Sequence, residues 1–466
     1  MSLDRLLKQV SIGVVPVADD AKIGRRNPTP PMPSSICDPT VQAALDQARQ
    51  TQLFPSGDWR DCWIYFLLID RFNNPEKPPR HRPYDGEFLG FQGGTFRGVQ
   101  DKLPYLKEMG VGAIWLSPVL QSIPSDMHSY HGYGVQNFLE IEPRLASQPE
   151  RAEDELRELI AEAHKLGIYV ILDIVLHHAG NVFSYVVDGK EKHELDWQEQ
   201  VQEIRWRDGG ILPEELQRDE FWTRRGAADS TSHGFHPNGD FSSLKAFDAD
   251  IDADGTKPIW DILIKAHEYL IAKFDIDGFR VDTLKFISPE FAHAFGAVIQ
   301  EFAGRVGKDN FFLFGEIYDS EETISQFIGR GSGGGKDVFG INSALDYPLF
   351  FVLPKVAKAL PDAVPADVAA VFEKRAAVEK KPLARHGEAS EYFVTFLDNH
   401  DQDRRFDGPA ALALALLFTL QGIPCVYYGT EQGLKGHKTK TQMDDSRVRE
   451  ALWGKPKAFD TGSALY

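Results

Sequence analysis

Cysteine is scarce. Cys37, Cys62 and Cys425 are the only three in 466 residues, too far apart for a disulfide framework or a zinc site. Reduced thiols in a cytoplasmic protein are the plainer reading. Long apolar runs are missing too: no stretch approaches the ~18 residues of a membrane span. The opening MSLDRLLKQVSIGVVPVADDAKIG lacks the apolar core of a secretory signal. Positive charge is in deficit, 51 Lys and Arg against 69 Asp and Glu, for a formal net charge of −18. Nucleic acid and anionic membranes are therefore poor partners, and a neutral polar ligand is easier to accommodate. The 14 histidines contain no HExxH, which removes a zinc-protease reading. GRGSGGGKD at 329–337 has the glycines of a phosphate loop but not its spacing, and Asp337 stands where Ser or Thr would bind magnesium.

What the chain does have is ample core material, 42% hydrophobic, laid out in alternation. Residues 1–58 read as an N-terminal extension, irregular through about residue 50, with the Pro-rich run NPTPPMPSS at 27–35. From Trp59 onward, apolar β-rich segments recur at 62–69, 113–117, 169–176, 278–282, 311–316, 341–347, 392–398 and 424–429. Helical patterns at 99–110, 152–167, 259–274, 289–304 and 409–422 separate most of them. Eight strands with intervening helices predict an α/β fold, a (β/α)₈ TIM barrel, whose chemistry sits where the strands end. The interruption at 179–247 is much longer than the ~2–6 residues of an ordinary βα loop. It predicts an inserted domain after the third strand, splitting the barrel into 59–178 and 248–466.

Four segments carry ionisable groups to strand ends: DIVLHH (173–178), GFRVD (278–282), FGE (314–316) and FLDNHD (396–401). Such groups are costly near a core unless pairing or chemistry needs them. Arg280 and Asp282 are two apart on a strand, so they face one side, and the guanidinium would hold the carboxylate ionised. Alone, the pair reads equally well as a structural ion pair. Glu316 emerges from an apolar strand, surroundings that raise a carboxyl pKa and suit a proton donor, although a lone strand-end Glu is more often a cap or ion-pair partner. Asp398, His400 and Asp401 close the set, with a capped turn as the bland alternative. His177 and His178, as neighbours on a strand, should point to opposite faces and not share an ion. Three carboxylates, an arginine and two histidines at successive strand ends together fit retaining glycoside hydrolysis, which needs a nucleophile and an acid/base ~5–5.5 Å apart.

These segments, with GGTFRGVQDKLPYLKEMGVGAIWLSPV, YHGYGVQNF and VYYGTEQGL, resemble the signature regions of the alpha-amylase family, glycoside hydrolase family 13, over most of 60–455. The resemblance implies Asp282 as nucleophile, Glu316 as general acid/base and Asp401 as transition-state stabiliser. It implies that Arg280 orients the nucleophile and that His178 and His400 bind hydroxyls of the glucose at the cleaved bond. Tyr133 would stack on that sugar, Asp173 would support the centre from behind, and Lys285 would contact the leaving-group side. The insertion 179–247 falls where the family has its domain B, and NGDFSSL (238–244) resembles a fifth signature region. The family continues into a C-terminal β-sandwich, for which almost no residues follow the eighth strand, so that domain is expected to be missing or truncated.

The implied activity is hydrolysis of α-1,4-glucosidic bonds in starch-like glucans or maltodextrins through a covalent glycosyl-enzyme. Transfer to another sugar is the alternative, and a non-catalytic barrel scaffold a further one. No cofactor is needed for the chemistry. The family's interdomain calcium is expected to be absent, because His177 and Phe286 replace the usual Asn and His, and neither side chain suits a hard cation. DIDADG (250–255) places Asp250, Asp252 and Asp254 as in an EF-hand loop, with Asp261 at position twelve; a polar turn capping the next helix is the alternative. Asp70, Asn73 and Asn74 resemble part of another calcium loop.

Overall fold

The eight apolar segments supply eight parallel strands: β1 Ile64–Leu67, β2 Ala113–Leu116, β3 Tyr169–Val175, β4 Gly278–Asp282, β5 Phe312–Gly315, β6 Ser343–Ala344, β7 Val394–Phe396 and β8 Ile423–Tyr427. Buried on both faces, most of them read as near-continuous hydrophobic runs; β4 is the exception, with Arg280 and Asp282 alternating with Phe279 and Val281. Their hydrogen-bonded order is β6-β5-β4-β3-β2-β1-β8-β7. A parallel bridge from Leu345 to Val394 joins the two ends into a closed ring, the barrel expected from the pattern. The computed structural model describes residues 32–81, 90–230, 234–249, 258–329, 340–358, 364–379, 389–404, 410–434, 436, 445–455 and 458–459. Contacts divide the chain into Met1–Met32 and Pro33–Tyr466; the barrel, its helices and the inserted segment all belong to the second unit.

The outer helices follow local rules. Ala152–Lys165 opens on Glu153, Asp154 and Glu155 and closes on His164 and Lys165, charges that complement the helix dipole. Pro289–Arg305 has Pro289 in its first turn and a Ser288 side chain accepting from Phe291 N–H. Two expectations need correction. The single helix read at 99–110 is two, Phe96–Asp101 and Leu103–Glu108; Pro104 has no N–H to continue the first and sits in the opening turn of the second. Inside the extension read as irregular, Pro39–Thr51 is a helix capped by Asp38. It buries Val41, Leu45 and Ala48 and packs on helix Pro258–Phe274.

Between β3 and helix Pro258–Phe274, the chain forms a three-stranded antiparallel sheet with Phe183–Val187 between Lys190–Lys192 and Glu203–Trp206. Strand His178–Ala179 pairs with Lys245–Ala246 at the segment's base. Its core is aromatic: Phe183, Trp206 and Trp222 meet edge to face within 5.8 Å.

Candidate active site

Strand register builds the centre. On β4, Arg280 lies opposite Asp173 of β3 and Phe314 of β5, so one guanidinium reaches carboxylates from three strands. Arg280 Nη1 donates to Asp173 Oδ1 at 2.8 Å and Asp282 Oδ1 at 2.7 Å. Its Nη2 donates to Glu316 Oε2 at 2.6 Å. Asp282 and Glu316 are thus held on the two arms of one fully buried arginine, as rigid charge-assisted pairs. Just beyond β4, Thr283 adopts φ +47°, a strained value for a β-branched residue. That turn aims its N–H at Glu316 Oε2, 3.3 Å away, while the Tyr347 hydroxyl donates to Oε1 at 3.1 Å.

A second group faces the first. The Tyr133 hydroxyl donates to Asp173 Oδ2 at 2.8 Å and lies 2.7 Å from His400 Nε2. The Tyr133 and His400 rings stack at 5.4 Å, and Trp115 Nε1 also donates to Asp173. His400 Nε2 is 3.3 Å from Asp401 Oδ2. Arg449 completes the arrangement by donating to Asp401 Oδ1 at 2.7 Å and to the His400 carbonyl at 2.9 Å.

The charges are unequal: one guanidinium serves Asp173, Asp282 and Glu316. Burial therefore wins at all three carboxyls. It pushes Asp173 up to about 7, with Asp282 adding to the rise and Arg280 opposing it. Burial likewise pushes Glu316 up to about 7, assisted by the Asp282 and Asp401 charges against Arg280. Asp282 is also raised by burial, with Arg280 as the main opposing influence. Asp401 goes the other way; burial is outweighed by His400, Arg449 and Arg280, which hold it far below the ordinary carboxylate range. Such a centre can pair a proton donor, Glu316, with a firmly ionised carboxylate, Asp401, around a site for a developing positive charge.

Arg280, Asp282, Glu316, Asp173, Tyr133, His400 and Asp401 are brought together. His178 packs against the Tyr133 backbone. Lys285 stands apart at the rim, paired with Asp319 at 2.8 Å. Asn399 Oδ1 accepts the N–H groups of Asp401 and Gln402, a turn that presents His400 and Asp401; residues 401–404 are not helical, so it does not act as the helix cap read as the bland alternative. His177 and His178 do not point to opposite faces: their Nδ1 atoms are 3.2 Å apart, because β3 ends at Val175 and the alternation ends with it. Arg449, Tyr347 and Trp115 were not singled out from the sequence. Tyr347 and Trp115 end or lie in segments read as strands, and that position was the available signal; Arg449 sits outside any strand and had none.

Metal sites can be tested against the donors present. Where the family would hold calcium, the His177, Phe241 and Phe286 rings cluster, with Phe241 at 4.8 Å from each of the other two. That aromatic contact offers no oxygen ligands and does not fit a hard cation. Asp70 accepts the N–H groups of Gln92 and Gly93 and pairs with Arg71, while the Asn73 and Asn74 amides donate to backbone carbonyls; this loop is closed by its own hydrogen bonds. Asp250, Asp252 and Asp254 lie outside the described residues. Among the described residues, no three His, Cys, Asp or Glu side chains are placed to hold a metal, and no helix is long and apolar enough to cross a membrane.

Fold and site thus define a closed β/α barrel with a carboxylate–guanidinium centre at the carboxyl ends of its strands. The family described as "Alpha amylase, catalytic domain" matches residues 66–461, and the chain belongs to it. The alpha-amylase of Streptomyces lividans is 25% identical over 460 residues, covering 82% of this chain and 46% of that protein. The intracellular maltogenic amylase of Bacillus subtilis is 27% identical over 429 residues, covering 88% and 61%. The chain therefore spans about half to three-fifths of these relatives. Among solved structures, the alpha-amylase of Geobacillus thermoleovorans, complexed with acarbose, aligns with a TM-score of 0.62 at 26% identity, covering 87% of this chain and 77% of that one.

Proposed function

We propose that the protein is a retaining glycosidase acting on α-1,4-glucosidic bonds of starch-like glucans or maltodextrins. The observation that carries this reading is the Arg280 guanidinium, which holds Asp282 on one arm and Glu316 on the other. Asp282 Oδ attacks the anomeric carbon as Glu316, protonated near neutrality, gives its proton to the departing glycosidic oxygen. Arg280 keeps the nucleophile oriented, and ionised Asp401 faces the positive charge that develops on the sugar. Glu316, now a carboxylate, takes a proton from water, and the hydroxide displaces Asp282 to release the sugar. His178, His400 and Tyr133 hold the ring at the cleaved bond, and Lys285 meets the leaving side. We assign 179–247 as domain B. The names of the relatives, alpha-amylase and maltogenic amylase, support the substrate class.

Reducing-sugar release from maltoheptaose tests this. Glu316→Gln should lower the rate roughly 10²–10⁴-fold, as expected for loss of a general acid; an unchanged rate would remove Glu316 from the chemistry. Product analysis of the wild type then separates water from sugar as the acceptor, since both use one covalent intermediate.

A further inference from the structure

Helix Pro365–Glu379 lies between β6 and β7 in the chain and is mostly exposed. Among its described residues only Arg375 and Val378 are buried. Docking a helix through a charged side chain is costly unless that charge is paired. Arg375 is paired twice. Its Nε and Nη2 donate to the two carboxylate oxygens of Glu321 at 2.7 and 3.3 Å. Nη2 also donates to Asp346 Oδ1 at 2.6 Å. Glu321 and Asp346 are as buried as the arginine, and its guanidinium lies 4.0 Å from the centroid of the Phe393 ring, just before β7.

Both partners stand close behind the candidate acid. Glu321 opens helix Glu321–Ile324, five residues beyond Glu316 on the loop after β5. Asp346 caps helix Tyr347–Phe350 after β6, accepting the Leu349 N–H at 3.0 Å. Its own N–H donates to the Val394 carbonyl at 2.9 Å. One arginine thus ties together the two loops that carry Glu316 and Tyr347. Across the same loops the Tyr347 hydroxyl donates to Glu316 Oε1 at 3.1 Å. Burial, helped by the Glu316 and Asp401 charges, keeps Tyr347 protonated and so a donor. Glu316 Oε2 already accepts from Arg280 and Thr283, which leaves Oε1 to carry the acid proton. With Tyr347 donating to one side of Oε1, that proton takes the other. We propose that Arg375 and Tyr347 are positioning residues for the general acid: Arg375 clamps the two loops so that the Tyr347 hydroxyl fixes how the Glu316 carboxyl presents its proton. The inference rests on Glu316 being the acid of the proposed glycosidase.

The test compares kcat/KM for maltoheptaose, whose cleavage needs the acid, with kcat/KM for maltotriosyl fluoride, whose fluoride departs unaided. Tyr347→Phe should lower the ratio of the first to the second about tenfold, the worth of a hydrogen bond to a charged group. It should also move the alkaline limb of the maltoheptaose profile up in pH, because a donor that favours ionised Glu316 is gone. Arg375→Lys keeps the charge but loses the planar fork. It should lower the same ratio about threefold alone and not further in the Tyr347→Phe background, as expected of residues acting through one another. Asp346→Asn, which retains a side-chain oxygen for the Leu349 N–H, should behave as Arg375→Lys does and serves if that variant folds poorly. A role confined to stability would lower the melting temperature and both rates alike. An unchanged ratio and limb, or losses that add in the double variant, overturns the inference while leaving the proposed function standing. A wild type that cleaves neither substrate, or a Glu316→Gln ratio equal to wild type, overturns both.

Discussion

At the scale of single residues, the decisive feature is that one buried guanidinium faces three carboxyls and burial raises all three, which favours keeping a proton among them. Glu316, raised to about 7 by burial, is the group whose role needs that proton. The acid is lost as pH rises through this value, so the rate of glycoside cleavage should fall on a limb near pH 7, and Glu316→Gln should abolish that limb along with most of the rate. A linked effect has a definite sign. A carboxyl raised from 4.5 to about 7 on folding binds more protons folded than unfolded, so its contribution to stability declines as pH climbs across that window. Glu316→Gln should therefore melt higher than wild type at pH 8, with the gain vanishing near pH 4; equal melting temperatures at pH 8 would contradict the shift. Arg449 acts on the other carboxylate. Arg449→Met removes a charge-assisted bond to Asp401 and should cost roughly tenfold or more in kcat, with Asp401 titrating higher and the acid limb moving up in pH. Arg280, Asp282, Glu316 and Asp401 could be picked out as candidates because each lies in a strand-end motif. Arg449 could not, since its place depends on how the chain returns after β8.

At the scale of elements, the strands announced themselves and the turns did not. A doubly buried parallel strand is a run of apolar residues in any context, so FFLFG and YVILDIV could be read directly. Helix Pro39–Thr51 was missed because only Val41, Leu45 and Ala48 mark its buried face among polar neighbours, a stripe too thin beside the preceding prolines. The ring contact between His177 and His178 was hidden by the point at which β3 stops, which depends on tertiary context. One turn is demanding. Gly132, at φ +83°, precedes Tyr133, and a Cβ there would come within 2.4 Å of the Pro118 carbonyl oxygen. Gly132→Ala should displace Tyr133 from Asp173 and His400, raising KM for maltoheptaose well before it lowers the melting temperature by more than a few degrees; an unchanged KM would mean that the ring is held by other contacts.

Across the whole molecule, the two ends of the barrel divide their labour, as the fold class leads one to expect. At the carboxyl end, charges surround the candidate site. At the amino end, Lys308 Nζ lies 2.7 Å from Asp277 Oδ1 and donates to the Phe54 carbonyl. Asp277 Oδ2 meanwhile accepts the Val170 N–H and meets His164 Nε2 at 2.8 Å. Lys308 and Asp277 are fully buried, and the network ties the approach to β1 to β3 and β4. Lys308→Met leaves Asp277 without its cation and should destabilise the protein by ~3–5 kcal/mol in denaturant unfolding, with KM unaltered in the fraction that remains folded. Nothing in the local sequence marked this network, because its members lie far apart along the chain and meet only once the barrel closes. The central claim is that Asp282 bonds covalently to the sugar while Glu316 serves as acid and base. A maltotriosyl fluoride, whose leaving group needs no proton, should glycosylate Glu316→Gln faster than water can free it, and intact-mass and peptide analysis should find one maltotriosyl group on the peptide bearing Asp282. A label on any other residue, or no label with release of the inverted sugar, would contradict the account.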